Sequence, residues 1–400
     1  MPIHTTHPDT GDTITANLAG AALVISPRFG DSYSFDRSGR LLGLFTGGRS
    51  YQRALDHRLL ERLKDKHGPR RRELMPDERD ALLAHAFADL RVLLGLVPRL
   101  KLAPGDRVAL KTALGKILAF GSRELAADGE AFTAIYQPVT ILPPDQYLAL
   151  VLQATVGCSW NRCTFCGLYR DREFRMQSPE SFREHCTRVR DFYGEGLSLR
   201  RGIFLADANA LIMPQPRLHA LFEIGQEFFG LPDRPRPVFS FVSAFDVERK
   251  SAEEWRALHA LGLERAYIGL ETGDDALLRF LNKPGSVHDA INAVSALREG
   301  GVSVGVILMG GIGGHRFAEH HVERSVDAIR AMHLGSDDQV YLSTYVPAPG
   351  TEYEERAAIA GIRALSADEV DAQIRTLQTR LRAAVPQTTV APYHVEGFAL

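Results

Sequence analysis

Leu148-Ala-Leu-Val-Leu-Gln-Ala-Thr-Val156-Gly-Cys158-Ser-Trp-Asn-Arg-Cys163-Thr-Phe-Cys166-Gly-Leu-Tyr-Arg170 is the stretch on which the fold turns. Its first nine residues are nearly continuous in apolar side chains, as a strand buried on both faces should be. A loop carrying three cysteines follows at once. Downstream, apolar runs of strand length recur at 202–205, 238–242, 266–270, 302–309 and 340–345. Helix signals separate them. Ser251-x-x-Glu254 forms a capping box ahead of Trp255, Leu258 and Leu261, and Gly262 stops that helix. Ser286 precedes Val287, Ala290, Ile291, Val294 and Leu297, and Gly300-Gly301 ends the run. Val322, Val326 and Ile329 repeat the pattern, and Ser366-x-x-Glu369 opens a last helix before Pro386. Six consecutive βα units imply an α/β protein with a parallel sheet, curved or open, whose working residues sit where the strands end.

The rest of the chain narrows the class. Its 400 residues leave room for a barrel and a second region, and 45% apolar with 24% charged residues suits a globular core. Lys plus Arg is 47 and Asp plus Glu 49, a net charge of −2, so the whole molecule lacks the positive field of a non-specific nucleic-acid binder. The richest basic run, Lys64-Asp-Lys66-His-Gly-Pro-Arg70-Arg71-Arg72, is broken by Gly and Pro and is expected as a solvated loop. The N-terminus has no basic leader, and its apolar stretch 18–25 is too short for a bilayer. A cytoplasmic protein is expected, with neither membrane nor nucleic acid as partner. Thiols stay reduced there, which favours metal or cluster ligation for clustered Cys.

Residues 1–140 form a mixed α+β region of unknown role: 21–25 reads as a strand, 33–45 as a hairpin, and 77–94 as a helix. Leu142-Pro143-Pro144 reads as a linker to a barrel at 147–350, and 351–400 as a helical extension.

Cys, four residues, Cys, two residues, Cys admits three readings. One is a [4Fe–4S] cluster with three Cys ligands and an open iron. A second is a plant-type [2Fe–2S] electron-transfer site with Cys186 as fourth ligand. A third is zinc completed by His185 or Cys186, which lacks the usual second ligand pair. Cys186 also lies on an apolar stripe with Phe182 and Val189, in a helix signalled by Ser178 and Pro179, where a buried thiol acts as a small hydrophobe.

The loop and its surroundings resemble the radical S-adenosylmethionine (SAM) superfamily, over residues 147 to 350. In that family the aromatic before the third Cys is Phe165 here. Phe204-Leu-Ala-Asp207-Ala-Asn209 resembles the segment that meets the methionine amino group in the branch of oxygen-independent coproporphyrinogen oxidases and methylthiotransferases. Tyr267-Ile-Gly-Leu-Glu271-Thr-Gly273 resembles a motif whose Glu faces cofactor or substrate. Gly310-Gly311-Ile-Gly313-Gly314 and Pro347-Ala-Pro-Gly350 match segments after the fifth and sixth strands. The first Cys gap is one residue longer than the common family spacing, so no subfamily is assigned. The resemblance implies a partial (βα)6 TIM-like barrel, Cys158, Cys163 and Cys166 as ligands of a [4Fe–4S] cluster, and SAM as cofactor. It further implies SAM contacts from Phe165, Asp207, Asn209, Glu271, Gly310, Gly311, Gly313 and Gly314, a catalytic role for Glu271, and a reductant such as flavodoxin or ferredoxin. The substrate has no motif. His315, Glu319, His320 and His321 tempt a metal reading, but the helix they open is amphipathic and they are expected on its solvated face.

Overall fold

A computed structural model describes residues 2–65, 68–348 and 350–394. Lys66, His67 and Pro349, which fall in stretches quoted above, lie outside the described residues. The chain divides into two units. Of the described residues, one comprises those up to Pro138 with Arg188–Arg201, the other Val139–Thr187 with residues 202–394.

The first unit begins with eight antiparallel strands in chain order, from Ile3–Thr6 to Gly68–Glu73. The hairpin read from the sequence is there, Ser32–Phe35 against Leu41–Thr46. The described residues of the basic run are not a loop. They belong to paired strands, Leu59–Asp65 and Gly68–Glu73, in which Arg72 sits opposite Glu61 with its guanidinium 2.8 Å from that carboxylate. Opposite charges facing each other across a strand pair are stabilising. Three helices follow, Pro76–Leu96, Pro104–Ala119 and Ser122–Ile135, the first two opened by a proline that already holds helical φ. The segment Pro76–Arg99 is long and apolar enough to cross a membrane by length and composition. Its Leu83, Phe87, Leu90 and Leu93 are buried in one core with Tyr33, Phe35 and Leu41 from the sheet.

The second unit is built on seven parallel strands whose spatial order is their chain order: Leu150–Gln153, Ile203–Ala206, Val238–Phe241, Leu263–Glu271, Ser303–Gly310, Gln339–Thr344 and Thr389–Tyr393. When every right-handed crossover steps to the next strand on the same side, the helices fall on one face and the sheet curls about the other. The result is a partial barrel, because the first and last of these strands are edges among the described residues. The Tyr393 hydroxyl donates to the Leu142 carbonyl (2.7 Å), tying the last strand to the segment before the first. That segment, expected as a linker, also closes the barrel's lower end. The Asp145 carboxylate accepts from Tyr267 (2.6 Å), Tyr341 (2.7 Å), Arg265 (2.9 Å) and Gln146 (3.0 Å).

The six strands expected from the apolar runs are all present. After 350, where a helical extension was expected, the helix Ala367–Ala384 is followed by the seventh strand. Pro392 hides that strand, since proline argues against a central strand, yet an edge tolerates its missing N–H. The capping boxes at Ser251/Glu254 and Ser366/Glu369 are formed as read.

Candidate functional site

The Cys loop leaves the first strand through a short ribbon, Thr155–Val156 against Arg175–Met176. Between these arms the chain has almost no regular structure, so its shape must come from hydrogen bonds to backbone groups. Arg170 donates to the carbonyls of Cys166 (3.2 Å) and Cys163 (2.9 Å). Asn161 donates through Nδ2 to Tyr169 O (2.8 Å) and its N–H points at Cys158 Sγ (3.4 Å). The turn after the helix Asp275–Phe280 pins the far side. There Leu281 O accepts from Thr164 N (2.9 Å), Asn282 O from Trp160 Nε1 (2.9 Å), and Asn282 Nδ2 donates to Arg162 O (2.9 Å).

Cys158, Cys163 and Cys166 all line one cavity where the barrel strands end, with Phe165, Asn209 and Glu271. All are half-buried, free thiols, and burial pushes Cys163 up to about 11 and Cys166 upward, so a metal must displace protons to bind. Among the described residues, the only three potential ligands with donor atoms all within 4.8 Å of one another are Asp31, His85 and Asp89, in the first unit. Three soft thiolates on one loop suit an iron–sulfur cluster. Cys186 is fully buried and outside the cavity lining, its thiol pushed up to about 12 by burial. No fourth cysteine ligand faces the other three, and the four-cysteine electron-transfer reading loses its support.

Glu271 ends the strand Leu263–Glu271 beside a register irregularity and has φ +66°, a conformation that costs a non-glycine residue energy. The next turn holds it there. A Cβ on Gly273 would come within 2.2 Å of Arg324 O, so only glycine lets this turn press onto the helix Gly314–Ala331, and Gly273 N donates to Ser325 Oγ (2.8 Å). His321, from the same helix, lies 2.8 Å from Thr272 Oγ1 and is fully buried rather than solvated. Burial pushes it down to about 4, so it is neutral. His315, Glu319 and His320 are exposed, as expected. The sequence pattern misled at His321 because the apolar stripe is wide enough to enclose it.

Lys283 is the residue the sequence did not single out. It lines the same cavity, with Nζ 3.3 Å from Glu271 Oε1. Burial works against its charge, but Glu271 and Cys163 more than restore it, and its pKa stands above the ordinary lysine range. Its signal was position, twelve residues beyond Glu271 in an Asn-Lys-Pro turn, with no motif around it.

Asp207 lies beneath the cavity, outside its lining. Its carboxylate accepts from Gly157 N (3.1 Å) and Gln153 Nε2 (3.4 Å), and burial raises it to about 6. Asn209 bridges three places: Nδ2 donates to Ser159 Oγ (3.0 Å) and Asp246 Oδ2 (2.8 Å), and Oδ1 accepts from Ser243 N (3.1 Å). Gly310, Gly311, Gly313 and Gly314 are not among the lining residues. Gly311 N donates to Gln373 Oε1 and Gly313 N to the Tyr353 hydroxyl, both at 2.7 Å.

The model of the family described as the Radical SAM superfamily matches residues 152–329. Hopanoid C-3 methylase of Methylococcus capsulatus is 27% identical over 199 residues, which cover 49% of this chain and 34% of that protein. 4'-Phospho-dehydrooxetanocin synthase of Priestia megaterium is 28% identical over 165 residues, covering 37% of this chain and 22% of that protein. The chain therefore spans about a third or less of the length of these relatives. Among solved structures, coproporphyrinogen III oxidase of Escherichia coli is similar over 66% of this chain and 57% of that one, at 14% identity and a TM-score of 0.46.

Proposed function

We propose that this chain, whose residues 152–329 match the model of the Radical SAM superfamily, cleaves S-adenosylmethionine reductively at a [4Fe–4S] cluster and turns the resulting radical chemistry on a substrate in the barrel. The observation that carries this reading is the convergence of Cys158, Cys163 and Cys166 on the cavity that also holds Glu271 and Lys283. When bound, the cluster and SAM together supply one-electron chemistry able to activate an unreactive C–H bond.

The chain's own residues then have distinct tasks. Cys158, Cys163 and Cys166 would hold the cluster through their thiolates. The Glu271 carboxylate and the Lys283 ammonium keep hydrogen-bonding capacity beyond their mutual contact, enough to bind the charged methionine end of SAM. Phe165 gives the cofactor an apolar surface. Asn209 orients Ser159 of the loop against the third strand's end, and Asp207 holds Gly157, so both act through the loop. Gly310, Gly311, Gly313 and Gly314 shape the fifth strand's turn. The barrel wall excludes water from the reacting centre. The electron comes from outside the chain, and flavodoxin or ferredoxin is assigned that role.

Anaerobic reconstitution with iron and sulfide, followed by assay of 5′-deoxyadenosine from SAM and dithionite, tests the reading. Iron and sulfide in the cluster's ratio with 5′-deoxyadenosine formed is the expected result. Loaded protein that leaves SAM intact overturns it.

A further inference from the structure

The cavity has a volume of about 210 Å³ behind an open mouth. The wall away from the sulfurs decides which chemistry this space accepts. Side chains alternate along a strand, so the barrel interior receives Phe241, Tyr267, Ile307, Met309 and Tyr393, and the loops add Ile141 and Leu168. Gly269 and Ser343 leave space between the larger side chains.

Most polar side chains on this wall, Ser243 aside, are already bonded within the chain. The hydroxyl of Tyr267 is taken by Asp145, that of Tyr393 by Leu142 O, and Ser343 Oγ donates to Leu308 O (3.2 Å). Ser286 Oγ faces Asp289 Oδ2 (2.9 Å), and both ends of the Asn209 amide are bonded. The lining contains one cation, Lys283, which is paired with Glu271 at the sulfur end, and it contains no arginine or histidine. A phosphate or carboxylate placed among these side chains would lose its water and find no partner.

We propose that the barrel cavity binds a neutral substrate of largely hydrocarbon or aromatic surface. That the occupant is the reaction's substrate rests on the function proposed above; its chemistry rests on the wall alone.

The test uses reconstituted holoprotein and the neutral fluorophore N-phenyl-1-naphthylamine, displaced by a matched pair, naphthalene and 1-naphthoate. The fluorophore is expected to bind saturably, and naphthalene to displace it at least about tenfold more effectively than the anion. Ile307→Glu is expected to weaken fluorophore binding by at least about tenfold while Met309→Leu keeps it. The matched pair needs no variant, so a misfolded Ile307→Glu leaves the test intact. Absence of fluorophore binding in protein that forms 5′-deoxyadenosine overturns the substrate class and leaves the function standing. Naphthoate equal to or better than naphthalene, or binding unchanged in folded Ile307→Glu, overturns it too. Protein that binds the fluorophore as expected yet never cleaves SAM overturns the function and not the chemistry of the wall.

Discussion

Two turns leave the same end of the barrel and were both marked by sequence as cofactor contacts, but they are built in opposite ways. The loop 157–174 after the first strand spends its carbonyls on Arg170 and Asn161 and leaves three sulfurs facing the cavity. The turn Gly310-Gly-Ile-Gly-Gly314 after the fifth strand spends its amides on Gln373 and Tyr353 and packs against the helix Ala367–Ala384 and its approach. Position at a strand's C-terminal end does not by itself fix which atoms a turn leaves free. What decides is whether the local hydrogen bonds leave the chemically useful atoms free. Replacing Cys158, Cys163 or Cys166 by Ala should break the first turn's function outright: iron content falls to background and no 5′-deoxyadenosine forms, while circular dichroism stays that of a folded barrel. Retention of full iron by any one variant would remove that residue from the ligand set.

Between these extremes lies the Glu271-Thr-Gly273 turn, which faces the cavity on one side and is held by a buried histidine on the other. Its support is open to titration. His321 has a folded pKa of about 4 against 6.5 for an ordinary histidine. The unfolded chain binds the proton first, so folding stability is complete above pH 6.5 and falls as pH drops toward 4. The shift amounts to about 3 kcal/mol. Denaturant unfolding between pH 7 and pH 4 should show a loss of that order, and His321→Gln should remove most of it. A pH profile identical in the variant would mean that other groups carry the acid sensitivity.

This contrast also marks what was legible in the chain. Six strands were readable because burial on both faces forces near-continuous apolar runs, and the three ligand candidates because three thiols within nine residues point to shared ligation. The seventh strand was not, because an edge strand relaxes the rule against proline that rules out a central one. Lys283 was hidden for a different reason. It reaches the cavity only through the pairing of its turn with the Cys loop, a tertiary fact with no local pattern. His321 shows the converse: its sequence pattern was plain, and its meaning depended on what packed over its helix.

The glycine turn should respond in stability, with cluster content held. At Gly314, φ is +54° and a Cβ would stand 2.3 Å from Arg363 O, a backbone atom that cannot swing aside. Gly314→Ala is expected to cost about 1–3 kcal/mol, read as a lower melting temperature, with iron per folded chain unchanged. Loss of SAM binding at unchanged stability would instead show that this turn contacts the cofactor.

The smallest expected effect separates the fourth cysteine from the other three. Cys186 sits in the middle of the helix Pro179–Tyr193, and its buried thiol behaves as an apolar group. Serine keeps the size but adds a stronger polar group, and in a helix its hydroxyl bonds back to the carbonyl four residues earlier, that of Phe182. That local partner limits the cost to about 1 kcal/mol. Cys186→Ser should therefore melt slightly earlier, load iron fully and cleave SAM at the unaltered rate. If it failed to hold iron while staying folded, four cysteines would be ligands and the open iron on which SAM binding depends would not exist.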